Sequence, residues 1–188
     1  MRIISGNFKG KKISLPDDEF TRPLRDLVKE SIFNIIEHSY CDRIKINGSN
    51  ILDFFSGSGS FGLECFSRGA TMVTFIENHK NAIKVLKKNI NSVKAEENVK
   101  IIERDCFQVL ELEKIFQDKY DLIFIDPPYK EKKINLILKN IFKYKILKDN
   151  GIIILHRHKN DDVKIEKDIN IIESRIYGIS KIIFCNWL

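Results

Sequence analysis

The sequence of 188 residues is sparing with cysteine, proline and histidine, and it has no long apolar run. Cysteine occurs at Cys41, Cys65, Cys106 and Cys185, never at C-x-x-C spacing, and the four histidines add no complementary pattern. That excludes the common zinc frameworks, and no metal site is expected. Scattered thiols of this kind suit small buried hydrophobes in a reducing compartment, hence a cytoplasmic protein. No run approaches the roughly 20 apolar residues of a membrane span. The opening MRIISGNFKG carries charge and glycine where a secretory signal needs an apolar core, so no membrane partner is expected. No internal repeat or low-complexity linker appears. A chain of this length suits one domain with a substantial core, and no feature demands a dimer, so a monomer is expected.

What is present is charge and aliphatic bulk. Hydrophobic residues make up 43% of the chain, and 32 basic against 26 acidic residues give a net charge of +6. The sign favours a polyanionic partner. Lysine outnumbers arginine 24 to 8, and isoleucine and asparagine are abundant, a skew that AT-rich codons also produce. The distribution of charge therefore says more than its sum. The first dozen residues hold Arg2, Lys9, Lys11 and Lys12 and no acid, which reads as a glycine-flexed basic hairpin or arm over residues 1–20 that contacts phosphate. Arg22 and Arg25 stand at the start of the next helix, where the helix dipole disfavours cations. That conflict points to a functional role, in contact with a polyanion or at a site rim.

After about residue 50, short β-branched runs alternate with segments of helical length. The strands are expected at Ile51–Phe55, Val73–Ile76, Val99–Ile102, Leu122–Ile125 and Ile152–Leu155. They are apolar on both faces, as in a parallel sheet covered by helices on each side. The clearest helix is 79–93, with Ile83, Leu86, Ile90 and Val93 on one face. Two final runs, 169–177 and 180–187, join through Gly178 and predict an antiparallel hairpin. A helix after Thr21-Arg22-Pro23 turns Leu24, Leu27, Val28, Ile32, Ile35 and Ile36 towards the body. Residues 21–188 then form the main domain.

Two motifs carry chemistry. ILDFFSGSGSFGLE, residues 51–64, follows a strand and opens a helix, and Gly57-Ser-Gly59-Ser-Phe-Gly62 fits G-x-G-x-x-G. Glu77, 20 positions after Gly57, completes a dinucleotide fingerprint. Asp53 opposes that reading. It sits four residues before Gly57, where its carboxylate would repel a pyrophosphate. A buried carboxylate needs a cation or donors. S-adenosylmethionine offers an ammonium and a sulfonium and no phosphate. Glu77 then suits the ribose hydroxyls, Asp105 the adenine amine, and Cys106 the ring. Gly57 and Gly59 let the backbone approach the cofactor.

The second motif is Asp126-Pro127-Pro128-Tyr129 after the fourth strand. Proline stiffens the chain and removes donors, leaving a fixed cluster of acceptors around the Asp126 carboxylate. Acceptors that grip an exocyclic NH₂ free its lone pair for attack on a methyl group. Tyr129 is placed to stack on a base taken out of its helix. Lys130, Lys132 and Lys133 follow directly, where substrate must enter, and Lys130 is the first candidate for RNA contact. Lys80, Lys84, Lys87 and Lys88 read instead as a solvated helix face.

With both motifs placed, the chain resembles the class I S-adenosylmethionine-dependent methyltransferases, and more narrowly the bacterial small-subunit (16S) ribosomal RNA guanine-N2 methyltransferases. The resemblance runs nearly end to end, through RIISGNFKGKKI, TRPLRDLVKESIFNII, LDFFSGSGSFGLECFSRGA, FIE and FIDPPY. It implies a Rossmann-like seven-stranded α/β sheet and methylation of guanine N2 in ribosomal RNA within an assembling small-subunit particle. It assigns Asp53, Gly57, Gly59, Glu77, Asp105 and Cys106 to the cofactor, and Asp126, Pro127, Pro128 and Tyr129 to the target base. His156-Arg157-His158 departs from the acidic residue expected there, and Arg157 reads as a solvated strand end or a phosphate contact. The rival readings are a DNA adenine-N6 methyltransferase, a protein glutamine methyltransferase (which should carry Asn at 126), an RNA-binding module without catalysis, and an NAD-dependent oxidoreductase.

Overall fold

The computed structural model describes residues 1–17, 23–40, 42–109, 116, 119–161 and 169–187. Arg22 and Cys41 lie outside these residues. In chain order the elements are α1 (Asp26–Ser39), β1 (Asn50–Phe54), α2 (Ser60–Ser67), β2 (Met72–Ile76) and α3 (Lys80–Ser92). Then come β3 (Val99–Ile102), α4 (Cys106–Val109), β4 (Tyr120–Ile125), α5 (Ile134–Lys143), β5 (Leu147–His158), β6 (Ile169–Tyr177) and β7 (Ser180–Trp187). The strands form one seven-stranded sheet in the order β3-β2-β1-β4-β5-β7-β6. Strands β1 to β5 pair in parallel, and β7 runs antiparallel between β5 and β6. The expected fold, with its antiparallel C-terminal hairpin, is the one observed.

Alternation along each strand explains the two buried layers. Ile51, Val73, Phe75, Leu122, Phe124, Ile152 and Ile154 pack on one face, with α1, α2 and α3. Their neighbours Leu52, Phe54, Ile123, Ile125, Ile153 and Leu155 pack on the other, with α4 and α5. Full burial of each such side chain is worth about 1.5–3 kcal/mol, so strands apolar on both sides are committed to the middle of a sandwich.

Three local differences from expectation have physical causes. In α1 the buried face is Val28, Ile32, Phe33 and Ile36, whereas Leu27 is 69% exposed. One position before Val28 is about 100° around a helix, so Leu27 turns off the face. Strand β5 is longer than its apolar run, continuing through His156 and Arg157 because β7 supplies partners as far as His158↔Ser180. The N-terminal segment is a loop closed by one antiparallel bridge, Arg2↔Lys12, rather than two strands. It is bonded to α2: the Glu64 carboxylate accepts the Ile4 and Ser5 N–H groups at 2.7 and 2.9 Å, and Ser67 accepts from Asn7 and Phe8. Ile3 and Ile13 enter the same core as α1.

Candidate active site

The sheet order reverses at β1, with β2 on one side and β4 on the other. In open α/β sheets the crevice outside the carboxyl ends of the strands at such a switch point is the ligand site. A cleft of about 420 Å³ opens there. Its lining includes Asp53, Phe55, Gly57, Glu77, Asp126 and Tyr129, and among the described residues no lysine or arginine lines it. A hollow of about 480 Å³ lies at the opposite strand ends, between Arg43, Lys45, Lys119 and Lys148. Of its two carboxylates, Asp121 and Asp149, the first is already held by Lys148 and by the Asn50 N–H.

The β1 side is built by carboxylates collecting backbone donors. Asp53 is 1% exposed, and its Oδ2 accepts the Gly62 N–H at 3.0 Å. Burial raises its pKa well above the ordinary carboxylate range; the nearby Asp126 and Glu77 charges add to the rise, and the Gly62 donor opposes it. Glu77 Oε2 accepts the Gly57 N–H at 2.8 Å, and its Oε1 accepts those of Asn78 and His79, both at 2.9 Å. One lone pair on Oε2 remains to accept a further donor. Gly57 and Gly59 have φ of 54° and 79°, and a Cβ on Gly59 would lie 2.4 Å from Leu86 Cδ1. Two parts of this half escaped sequence reasoning. Ser56 ties the loop to both strands, donating to the Asp53 and Ile76 carbonyls at 2.7 and 3.1 Å. Phe55 takes a φ of 57° without being glycine, a strained conformation that clusters at ligand sites.

Asp105 and Cys106 do not line the cleft. Asp105 is one step back, accepting from the Asn78 side chain at 3.2 Å and capping α4 through the Phe107 N–H at 2.8 Å. Cys106 is buried in the second core, and burial raises the thiols of Cys65, Cys106 and Cys185, the last to about 12. None is a poised nucleophile.

On the β4 side, Asp126, Pro127, Pro128 and Tyr129 all line the cleft. The structure corrects both readings of Arg157. It is 2% exposed, so it is neither a solvated strand end nor a phosphate contact. Its Nη2 donates to the Tyr129 and Glu131 carbonyls at 3.1 and 2.9 Å, its Nη1 points to the Pro128 carbonyl at 3.4 Å, and its Nε donates to Asp161 at 2.6 Å. His156 Nδ1 lies 2.8 Å from Asp126 Oδ1. The signal for this pair in the sequence is only that two polar residues continue an apolar run. Parallel pairing aligns Ile125 with Leu155, which places Asp126 beside His156.

The basic candidates form an outer set. Arg2, Lys9, Lys11, Lys12, Arg25 and Lys130 are exposed. Arg25 adjoins Leu24, which lines the cleft, and Lys130 follows Tyr129 in a turn closed by Glu131 N–H on the Pro128 carbonyl. Lys80, Lys84, Lys87 and Lys88 are also exposed, with Lys87 3 residues from Lys84 and paired to Glu103.

Sheet order, switch-point cleft and paired carboxylate motifs together define a class I methyltransferase fold. Solved structures share it: Escherichia coli yhhF superposes with a TM-score of 0.81 at 24% identity, covering 100% of this chain and 97% of that one. Haemophilus influenzae HI0767 gives 0.76 at 28% identity, covering 98% and 96%. The chain belongs to the family described as "Conserved hypothetical protein 95", whose model matches residues 1–186. Among its relatives is the ribosomal RNA small subunit methyltransferase D of Haemophilus influenzae, 32% identical over 184 residues, 95% of this chain and 90% of that protein. The protein of the same name from Escherichia coli K12 is 33% identical over 144 residues, 74% and 68% of the two chains.

Proposed function

We propose that this protein methylates the exocyclic N2 amine of a guanine in small-subunit ribosomal RNA, with S-adenosylmethionine as donor. One observation supports it most. Three carboxylates, Asp53, Glu77 and Asp126, converge on a cleft that no lysine or arginine among the described residues lines, in a chain whose net charge is +6. A pyrophosphate would be repelled there, whereas an ammonium and a sulfonium are attracted. The exposed cations suit a nucleic acid outside. The relatives named above supply the RNA.

The residues present fit the cofactor. Asp53 is a buried carboxylate with a single backbone donor, and Glu77 keeps an acceptor for a hydroxyl. When bound, S-adenosylmethionine supplies an electrophilic methyl group on sulfur. Asp126 accepts a hydrogen of the target amine at Oδ2, which turns the nitrogen lone pair towards the cofactor. Pro127 and Pro128 keep the loop stiff and free of competing donors. Tyr129 offers its ring to the extruded base. After transfer the amine proton leaves through Asp126 or water, so no strong base is needed beforehand.

The test is radiolabelled methyl transfer to free small-subunit RNA and to assembling particles, with the modified nucleoside identified by mass spectrometry. N2-methylguanosine is expected, and an assembling particle is the proposed substrate. Asp126→Ala should lower transfer by about 10²–10⁴-fold with cofactor binding retained. Label in N6-methyladenosine would overturn the base assignment, and full turnover by Asp126→Ala would remove that residue from the mechanism.

A further inference from the structure

We propose that His156 and Arg157 are positioning residues for the target amine, a device of β5 that holds the Asp126–Glu131 loop in its reactive geometry. The proposal rests on the methyltransferase reading above. Asp126 continues the strand face of Leu122 and Phe124, and His156 continues that of Ile152 and Ile154, so the two side chains leave adjacent strands in the same direction. Their contact, Nδ1 to Oδ1 at 2.8 Å, places the ring proton on Nδ1, because a carboxylate only accepts. His156 is 4% exposed, and its buried Nε2 has no hydrogen-bond partner among the described residues. The ring thus spends its one donor on Asp126. It fixes the carboxylate rotamer and occupies Oδ1, which leaves Oδ2 to receive the amine.

Arg157 acts on the same loop from the other face of β5. Pro127 and Pro128 have no N–H, which leaves the loop short of backbone donors beyond the Glu131 N–H that closes its turn on the Pro128 carbonyl. Its carbonyls at Pro128, Tyr129 and Glu131 converge instead on one guanidinium, itself anchored to Asp161. An Arg fork supplies five donors in a rigid plane; a lysine supplies a single mobile centre and cannot span the same carbonyls. Misplacing a reacting group by about 1 Å costs on the order of 10²-fold in rate.

The experiment compares His156→Leu, His156→Asn, Arg157→Met and Arg157→Lys in single-turnover transfer, alongside melting temperature and calorimetric cofactor affinity. Wild-type turnover on RNA comes first: its absence would sink the methyltransferase reading, whereas the outcomes below bear on β5 alone. His156→Leu should lose about 10- to 100-fold in the transfer rate, with the KM for RNA and the cofactor affinity unchanged. His156→Asn, which keeps an N–H near Asp126, should regain most of that loss. Arg157→Met should lower the rate and raise the KM together, with Arg157→Lys intermediate. Wild-type rates in His156→Leu and Arg157→Met overturn the proposal. So does a loss that Asn does not rescue, or one that follows melting temperature and cofactor affinity instead of the transfer step. Where a β5 variant does not fold, NMR of ¹⁵N-histidine protein reads the contact without touching β5. The His156 Nδ1–H resonance should shift on Asp126→Ala, and an unmoved resonance overturns the orienting contact.

Discussion

The two halves of the cleft are held by opposite chemistry. On the β1 side, proposed to hold the cofactor, side-chain carboxylates collect backbone donors: Asp53 takes the Gly62 N–H, and Glu77 takes those of Gly57, Asn78 and His79. On the β4 side, proposed to take the target base, side-chain donors collect acceptors: Arg157 takes the carbonyls of Tyr129 and Glu131, and His156 takes the Asp126 carboxylate. The composition of each loop explains the difference. A loop of glycine and serine has N–H groups to satisfy and must be braced by acceptors. A loop with two prolines has lost donors and keeps its carbonyls, so it must be braced by donors.

The sharpest way to break this contrast is at the foundation of the first half. Lys29 and Glu64 are both 0% exposed and lie 3.3 Å apart, and Lys29 also donates to Ser60 of the glycine loop at 3.1 Å and to the Arg2 carbonyl at 2.7 Å. Removing Lys29 takes from Glu64 one of two cationic partners, Arg68 at 3.0 Å being the other, and takes a donor from Ser60 and the Arg2 carbonyl. Lys29→Ala should therefore cost about 3 kcal/mol in urea unfolding, the low end for breaking a buried pair. Arg157→Met should cost mainly turnover, if the second half is a positioning device. A Lys29→Ala loss below about 1 kcal/mol would show that the cofactor half does not depend on that pair.

The next effect is in cofactor affinity. The raised pKa of Asp53 means that the folded protein without cofactor holds a proton there that the unfolded chain has released. Its contribution to stability is present below the ordinary carboxylate range and is lost as pH rises through the folded value. A cationic ligand favours the ionised form. Affinity should therefore rise with pH across that window, and binding should release protons, read by calorimetry in buffers of different ionisation enthalpy. Asp53→Asn should abolish the release and weaken binding by about 10- to 100-fold, the worth of a charged hydrogen bond. Proton release unchanged in Asp53→Asn would assign it to another group.

Much of this was legible in the sequence because its signals are local. Asp53, Gly57, Gly59 and Asp126 to Tyr129 declare themselves within short windows, and strands apolar on both faces declare the parallel sheet. What stayed hidden depends on which strands become neighbours. Nothing near Arg157 in the chain says that it faces a proline loop about 30 residues earlier; only the β4–β5 register brings them together. Phe55 is hidden for another reason, since its positive φ is imposed by the loop against its own preference. Asp105 and Cys106 fall within the same local signal after β3, where Asp105 also caps α4 and Cys106 lies in the second core.

The smallest expected effect lies outside both halves, on the N-terminal loop. Lys9, Lys11 and Lys12 are exposed, but the backbone that carries them is fixed. Glu64 grips it through Ile4 and Ser5, and Gly6 lies so close to α2 that a Cβ there would sit 1.8 Å from the Ser67 carbonyl oxygen. Phe8 stacks on Phe66 with ring centroids 5.6 Å apart. Cations on a fixed loop can meet phosphates with little further loss of backbone entropy, and each phosphate neutralised releases a counterion. Reversing all three charges should then flatten the logarithmic salt dependence of RNA binding by about 2 to 3, at roughly 0.7–0.9 per contact. Cofactor affinity should not move, because the loop bonds to the back of α2 through backbone groups that charge reversal leaves in place. A salt slope equal to that of the wild type would detach this loop from the RNA. A change in cofactor affinity would show that the cofactor half reaches further from the cleft than its hydrogen bonds do.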